Sequence, residues 1–312
     1  MRIGRAAAVT DTGRKRLRNE DAYVCRPPLF AVADGMGGAR AGEVAARLAA
    51  AALEEAGTGT RGEQGVAMLI EEANRRIWER AVTDPATSGM GTTVTAAIVD
   101  AAAGQVAIGH VGDSRAYLLR GGALEQLTTD HSLVAELVQS GVLTPEEAER
   151  HPQRSAITRA LGTEPSVRVE TFTVAGEIGD LFLLCSDGLS VMLGDDDVAE
   201  AVESAGRDPA DAAEKLIAAA NARGGEDNIT VVLFELVEGD PESEPEQVGS
   251  DSTDLTPERD DAGSDPTGPT PSDPGADVRT HGAGPGGRAA AIALVGIVAV
   301  VGLLALYWGI TR

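Results

Sequence analysis

The spacing of apolar positions in residues 1–238 predicts a domain that mixes helices and strands. Apolar side chains recur every three or four residues in 43–54 and in 66–81, a period typical of helices that pack by one face. Shorter apolar runs typical of strands lie at 92–99, 105–110, 116–119, 167–174, 181–185 and 229–236. Because the strands are grouped and do not alternate regularly with helices, we expect an α+β fold of antiparallel sheets with helices packed outside.

Two segments stand apart from this pattern. Residues 181–185 (LFLLC) are apolar at every position, which predicts a central strand that is covered on both faces. Residues 133–159 are polar with helical spacing and are interrupted by Pro145 and Pro152, so we expect an excursion over the surface.

The composition changes sharply after residue 238. Residues 239–288 hold twelve acidic residues against three arginines, and eight of the chain's 15 prolines. Such a segment cannot bury enough apolar surface to offset its conformational entropy, so it is predicted to be a disordered linker. The next segment, 289–308 (AAAIALVGIVAVVGLLALYW), carries no charge and would form a helix about 30 Å long, the thickness of a bilayer's hydrocarbon core.

We therefore expect 289–308 to be a transmembrane helix, followed by a short tail at 309–312; a buried core helix is the alternative interpretation. The first residues, MRIGRAAAVTDTGRKR, lack the apolar run of a secretory signal. The predicted arrangement is a single-pass protein of the cell membrane whose folded domain is cytoplasmic. Two cysteines without a disulfide framework, Cys25 and Cys185, fit a reducing compartment.

The charge of the chain excludes some classes of function. With 26 basic and 49 acidic residues, the net charge is −23, which disfavours binding to the phosphates of nucleic acids. The two cysteines and four scattered histidines do not form a zinc-binding motif. Carboxylate oxygens are the abundant potential ligands, and they suit Mg²⁺ or Mn²⁺.

Acidic residues stand beside turn residues in five short segments of the folded domain. These are RLRNED (16–21), DGMGG (34–38), GDSR (112–115), SDG (186–188) and DN (227–228). Each alone is an ordinary turn sequence, but Asp34, Asp113 and Asp187 all follow apolar runs, which favours a shared site at strand ends. Converging carboxylates repel one another unless cations neutralise them, and two hard dications can hold a hydroxide for displacement at phosphorus.

In their order along the chain, these segments resemble a known family. RLRNED, ADGMGG, GMGTTVTA, HVGDSRAYLLR, LLCSDGL and GGEDNITVV are similar to the motifs of the metal-dependent protein phosphatases, the type 2C serine/threonine phosphatases, in their bacterial form. The resemblance covers about residues 6–236 and implies a central antiparallel β-sandwich flanked by helices in four layers. The apolar segment after an acidic linker resembles membrane-anchored members of the family.

The resemblance also implies ligands for two metal ions, Mn²⁺ or Mg²⁺. Asp34 would bridge both ions, and Asp187 and Asp227 would complete the first site. Glu20, through water, and the carbonyl of Gly35 would serve the second site.

Further roles are implied around these ions. Asp113, together with Asp187, would form a weaker third metal site. Arg16 would clamp the phosphate, and Asp21 would hold a metal-bound water or orient Arg16. The excursion at 133–159 corresponds to the family's mobile flap beside the cleft.

The implied activity is hydrolysis of phosphoserine and phosphothreonine in proteins by a hydroxide bound between two metal ions, opposing bacterial Ser/Thr kinases. Met36 stands where eukaryotic members carry a histidine, so a metal-bound water would protonate the leaving alkoxide. Two alternatives stay open: a catalytically inactive scaffold that binds phosphoproteins, and a hydrolase of small phosphoesters.

Overall fold

The computed structural model describes residues 1–37, 41–57 and 59–240. The predicted linker from residue 241 onward, the predicted span at 289–308 and Gly38 lie outside this part of the chain. Among the residues described, no helix is both long and apolar enough to cross a membrane.

Twelve strands and seven helices are described. In chain order the strands are β1 (Arg2–Asp11), β2 (Ala22–Arg26), β3 (Leu29–Ala33), β4 (Gly35–Met36), β5 (Gly91–Thr92), β6 (Val94–Asp100), β7 (Gln105–Val111), β8 (Arg115–Arg120), β9 (Ala123–Gln126), β10 (Glu170–Ala175), β11 (Leu181–Cys185) and β12 (Ile229–Val237). The helices are α1 (Ala41–Ala56), α2 (Gly62–Thr83), α3 (Leu133–Gln139), α4 (Pro145–Glu149), α5 (Asp187–Ser190), α6 (Asp195–Ser204) and α7 (Pro209–Ala222).

The strands form two five-stranded antiparallel sheets, which confirms the predicted architecture. The first sheet has the order β1-β12-β11-β8-β9 and the second has the order β10-β7-β6-β3-β2, while β4 and β5 pair as a separate short ribbon. The predicted central strand, β11, lies between β12 and β8 and is buried at all five positions. The prediction of a strand over 167–174 was wrong at its start, because β10 begins at Glu170 opposite His110, near the end of β7.

Three apolar clusters hold four layers together. Between the sheets, the Phe234 ring stacks on Phe30 with 4.1 Å between centroids and on Phe182 with 5.0 Å. Helices α1 and α2 cover the outer face of the second sheet, with Leu53 and Ile70 fully buried there. Helices α5, α6 and α7 cover the first sheet. This is the α-β-β-α layering that the family resemblance implied.

The predicted surface excursion contains α3 and α4. Pro145 begins a helix and does not interrupt one, because it follows Thr144, which forms a reciprocal cap with Glu147. At the base of the excursion, the backbone N–H of His131 donates to the carbonyl of Gly112 at 2.7 Å. The excursion is therefore fastened beside the turn that carries Asp113.

Candidate active site

The antiparallel register of the second sheet brings three of the predicted acids to one end of the sandwich. Ala22 pairs with Ala33, so Asp21, just before β2, and Asp34, just after β3, are neighbours. Asp113 follows the end of β7, and β7 pairs with β6, which pairs in turn with β3.

The first sheet supplies two more acids to the same end. Cys185, the last residue of β11, pairs with Val231 near the start of β12. Asp187 therefore follows β11 at the place where Asp227 precedes β12. Because antiparallel strands alternate in direction, the exits of some strands and the entrances of their partners share one edge. The mutual electrostatic effects of these five acids show that they lie close together.

The centre of this cluster is the pair Asp34 and Asp187. Burial raises the pKa of Asp34 well above its usual range, and the charges of Asp21, Asp187, Asp113 and Asp227 raise it further. The pKa of Asp187 is also raised, first by burial and then by Asp227. Two neighbouring buried carboxyl groups disfavour simultaneous ionisation, because each charge raises the pKa of the other.

Asp113 and Asp21 are perturbed in the same way. Burial raises the pKa of each to about 7, and the charge of Asp187 contributes in both cases. Oδ2 of Asp21 accepts a 2.6 Å hydrogen bond from the Thr230 hydroxyl. Oδ1 of the same carboxyl is buried and has no hydrogen-bond partner within the described residues. A buried carboxylate oxygen without a donor has free lone pairs that suit a cation or a metal-bound water.

Oε2 of Glu20 and the carbonyl oxygen of Gly35 lie near each other. A Cβ atom on Gly42 would lie 2.5 Å from Oε2 of Glu20 and 2.8 Å from the Gly35 oxygen, so both oxygens face one small region. Side chains larger than hydrogen at Gly35 and Gly42 would collide with this region, which explains the glycines there. Burial is also the main cause that raises the pKa of Glu20.

Arg16 lies at the rim of the acidic cluster. Its Nη2 atom is 2.6 Å from Oδ2 of Asp227, and the guanidinium is about half exposed to solvent. Glu20 and Asp34 also act on it electrostatically. An exposed guanidinium at the edge of a carboxylate cluster is suited to grip a phosphate that approaches from solvent.

The donors present fit hard divalent cations, since they are all carboxylate or carbonyl oxygens. In their present rotamers, however, no three acidic, histidine or cysteine side chains of the described residues are gathered closely enough to hold one ion. Instead, the Asp21 carboxyl accepts from Thr230 and the Asp227 carboxyl contacts Arg16. The predicted ligands therefore lie near one another without forming a closed coordination shell.

Two supporting residues were not predicted from the sequence. The amide of Asn228 donates to the carbonyls of Thr12 and Arg18 at 3.0 and 2.8 Å, and its oxygen accepts from the Glu20 N–H at 2.8 Å. Thr230 holds Asp21. Asn228 stood beside a predicted ligand, but no sequence pattern revealed which backbone groups its amide would meet.

The two cysteines are unsuited to nucleophilic attack. Burial raises the pKa of Cys25 to about 11 and that of Cys185 to about 12. Both therefore stay as thiols at neutral pH, and the thiolate is the reactive form. This leaves the carboxylate cluster as the candidate for catalysis.

Comparisons with known proteins identify the family of this chain. A family described as "Protein phosphatase 2C" matches residues 13–222. The serine/threonine phosphatase stp of Listeria monocytogenes is 43% identical over 238 residues, covering 72% of this chain and 93% of that protein. The serine/threonine protein phosphatase PstP of Mycobacterium tuberculosis is 42% identical over 242 residues, covering 76% of this chain but 46% of that protein.

Solved structures give the same result. The crystal structure of the M. tuberculosis phosphatase PstP/Ppp has a TM-score of 0.71 and 40% identity, covering 76% of this chain and all of that one. The catalytic domain of PstP in complex with two manganese ions has a TM-score of 0.69 and 38% identity, covering 76% of this chain and 99% of that one. The chain therefore belongs to the protein phosphatase 2C family of serine/threonine protein phosphatases.

Proposed function

We propose that this chain, a serine/threonine protein phosphatase, uses Mn²⁺ or Mg²⁺ to hydrolyse phosphoserine and phosphothreonine in proteins. The observation that carries the proposal is the convergence of five desolvated or ion-paired carboxyls from two sheets, with Arg16 at their rim. Such a cluster is costly to bury unless cations neutralise it. The related structure with two manganese ions supports this choice of metal.

We assign the ligands as follows. Asp34, at the centre of the cluster, would contact two ions; Asp187 and Asp227 would complete one site. Glu20 and the Gly35 carbonyl, which face one region, would serve the other. Bound dications supply Lewis acidity, which activates water and neutralises charge on the phosphate.

The remaining groups bind and orient the substrate. Arg16 would turn from Asp227 to the phosphate and hold two of its oxygens, since alignment and charge stabilisation are what phosphoryl transfer requires. Asp113, with Asp187, would form the weaker third site. Asp21, fixed by Thr230, would direct its unpartnered oxygen to a water or toward Arg16.

The test is turnover of a phosphothreonine peptide by the purified full-length chain in detergent. We expect activity with Mn²⁺ that is abolished by EDTA and by Asp34→Asn. Asp100→Asn is a matched control, because Asp100 ends β6 at the opposite end of the sandwich and should leave turnover intact. Peptide binding without turnover would support the inactive scaffold, and faster turnover of nucleotides than of peptides would support the small-phosphoester hydrolase.

The cellular setting is a second part of the proposal. The apolar segment 289–308 would anchor the enzyme in the cell membrane with its catalytic domain in the cytoplasm, where it would oppose bacterial Ser/Thr kinases. Deletion of 289–312 should release an active enzyme into the soluble fraction of lysed cells. Persistent association of the shortened chain with membranes would contradict the anchor.

A further inference from the structure

A basic loop, residues Arg14, Lys15, Arg16, Leu17 and Arg18, projects from the rim of the active site. Four of the chain's 26 basic residues stand within these five positions. All five residues are exposed, and Leu17 is 98% exposed, so the loop protrudes beyond the protein surface. An exposed cationic loop beside an acidic cluster is unexpected in a chain with a net charge of −23.

The backbone of the basic loop is fixed at both ends. The N–H groups of Arg14 and Lys15 donate to the Gly225 carbonyl at 2.7 and 3.2 Å. At the other end, the Arg18 carbonyl accepts from the Asn228 amide at 2.8 Å. The exposed side chains therefore project from a preorganised base, which reduces the entropy lost when they contact a ligand.

Two of the four cations have no carboxylate partner among the described residues. Arg16 contacts Asp227 at 2.6 Å, and Lys15 contacts Glu226 at 3.3 Å. The guanidinium groups of Arg14 and Arg18 make no ion pair or hydrogen bond with another residue in the described part of the chain. Arg18 lies close enough to the site to lower the pKa of Glu20.

We propose that Arg14 and Arg18 are specificity-determining residues that bind acidic side chains on either side of the phosphorylated residue of the substrate. This inference rests on the proposed function, because it takes the phosphate to sit on Arg16. An extended peptide advances about 3.3 Å per residue, so side chains within about three residues of the phosphate come within reach of the two guanidinium groups. The preferred substrates are therefore acidic phosphopeptides.

An alternative role for the same charges, non-specific attraction of substrates, predicts a different experimental result. The loop could attract every phosphorylated substrate through its long-range field, which raises association rates without reading the sequence. If the loop acts through its long-range field, removing its charges would lower kcat/KM by the same factor for all phosphopeptides. Contact with flanking side chains would change the ratio between acidic and neutral peptides.

The experiment compares two phosphothreonine peptides that differ only in their flanking residues, glutamates in one and glutamines in the other. The full-length chain in detergent is assayed with Mn²⁺ at about 50 and about 500 mM NaCl, which shortens the Debye length severalfold. We expect kcat/KM to favour the acidic peptide about fivefold at low salt, as for two exposed charge pairs, and less at high salt. The double variant Arg14→Ala/Arg18→Ala should reduce the ratio to about one, and Arg14→Glu/Arg18→Glu should reverse it.

Arg61→Ala is the matched control, since Arg61 is an exposed arginine that contacts Asp100 at the opposite end of the sandwich and should keep the wild-type ratio. Three results would overturn the inference. The wild type could hydrolyse both peptides with equal kcat/KM, both double variants could keep the wild-type ratio of kcat/KM, or the double variants could lose kcat/KM equally on both peptides. If the glutamine peptide is hydrolysed, the phosphatase function holds even when the inference about specificity fails. If the wild type hydrolysed neither peptide, the function would fail and this inference with it.

Discussion

Thr230 donates a 2.6 Å hydrogen bond to one oxygen of Asp21, while the other oxygen of that carboxyl is buried without a partner. Thr230 is itself completely buried, and its hydroxyl lies 2.7 Å from the hydroxyl of Thr10 in the neighbouring strand. The hydroxyl thus orients the Asp21 carboxyl so that its second oxygen is left for the site. Thr230 is not a predicted metal ligand, yet it determines how Asp21 is oriented in the site.

We expect Thr230→Val to weaken both folding and Mn²⁺ binding. Valine matches threonine in shape but leaves the buried Asp21 carboxyl without its donor, which costs about 1–3 kcal/mol of the unfolding free energy. Urea unfolding and Mn²⁺ titration measure the two effects. Thr230→Ser keeps the hydroxyl and should retain most of the metal affinity; an equal loss in both variants would assign the effect to packing alone.

Much of the site could be predicted because its acids lie where strands end. Asp34, Asp113 and Asp187 follow apolar runs that the sequence displays clearly. Antiparallel pairing brings Asp34 and Asp113 to one end of the second sheet, and packing of the two sheets against each other brings Asp187 to the same end. The contacts of Asn228 with Thr12 and Arg18 could not be predicted. They join residues more than two hundred positions apart, and local patterns carry no information on such pairings.

The fold was predictable to a similar degree. The buried strand β11 and the amphipathic helices α1 and α2 have strong local patterns. Strand β1 was not predicted, because only three of its ten residues are buried and its sequence, RIGRAAAVTD, is rich in alanine and arginine. Its position at the sheet edge comes from pairing with β12, the last strand of the domain.

The stability of the metal-free protein should fall as pH rises from about 4 to about 7. The pKa values of Asp21 and Asp113 are raised to about 7, so the folded state holds protons that the unfolded chain has already released. Their contribution is present below the unfolded pKa and is lost as pH rises through the folded pKa. For Asp21 the loss is on the order of 2 kcal/mol, about half the full linkage value, because the residue is only partly shielded from solvent.

Urea unfolding in EDTA at about pH 5 and about pH 8 checks this dependence. His110 acts in the opposite direction, because burial lowers its pKa to about 3 and its contribution is lost as pH falls below about 6.5. Asp21→Asn isolates the carboxyl, since it removes one titrating group and leaves His110 unchanged. An identical pH dependence in Asp21→Asn and in the wild type would contradict the assigned cause. With Mn²⁺ present, the loss at high pH should disappear, because cations and protons compete for the same oxygens.

Asn228→Ala should loosen the loop that carries Arg16 and Glu20. The substitution removes three hydrogen bonds of a buried side chain, each worth about 1 kcal/mol, so we expect a loss of about 2–4 kcal/mol in unfolding free energy. Peptide kcat/KM should fall as well, because a misplaced clamp loses alignment with the phosphate. Asn228→Asp keeps the acceptor for the Glu20 N–H but sets a carboxylate oxygen against the carbonyls of Thr12 and Arg18, so it should lose at least as much stability as Asn228→Ala. Wild-type kinetics in Asn228→Ala at full folding would refute a positioning role.

Arg16→Ala should weaken binding of the substrate phosphate but leave Mn²⁺ binding intact. A charge-assisted hydrogen bond is worth about 1.5–3 kcal/mol, so kcat/KM on a phosphothreonine peptide should fall about 10- to 100-fold, mainly through KM. Mn²⁺ affinity should be retained, because the substitution leaves every predicted ligand in place and removes the cation that contacts Asp227 at 2.6 Å. Arg16→Lys preserves the charge but cannot hold two oxygens in one plane, so it should restore only part of the loss. Unchanged peptide kinetics in Arg16→Ala would show that the guanidinium serves only as the partner of Asp227, and the phosphate would then be held by the metal ions and backbone groups alone.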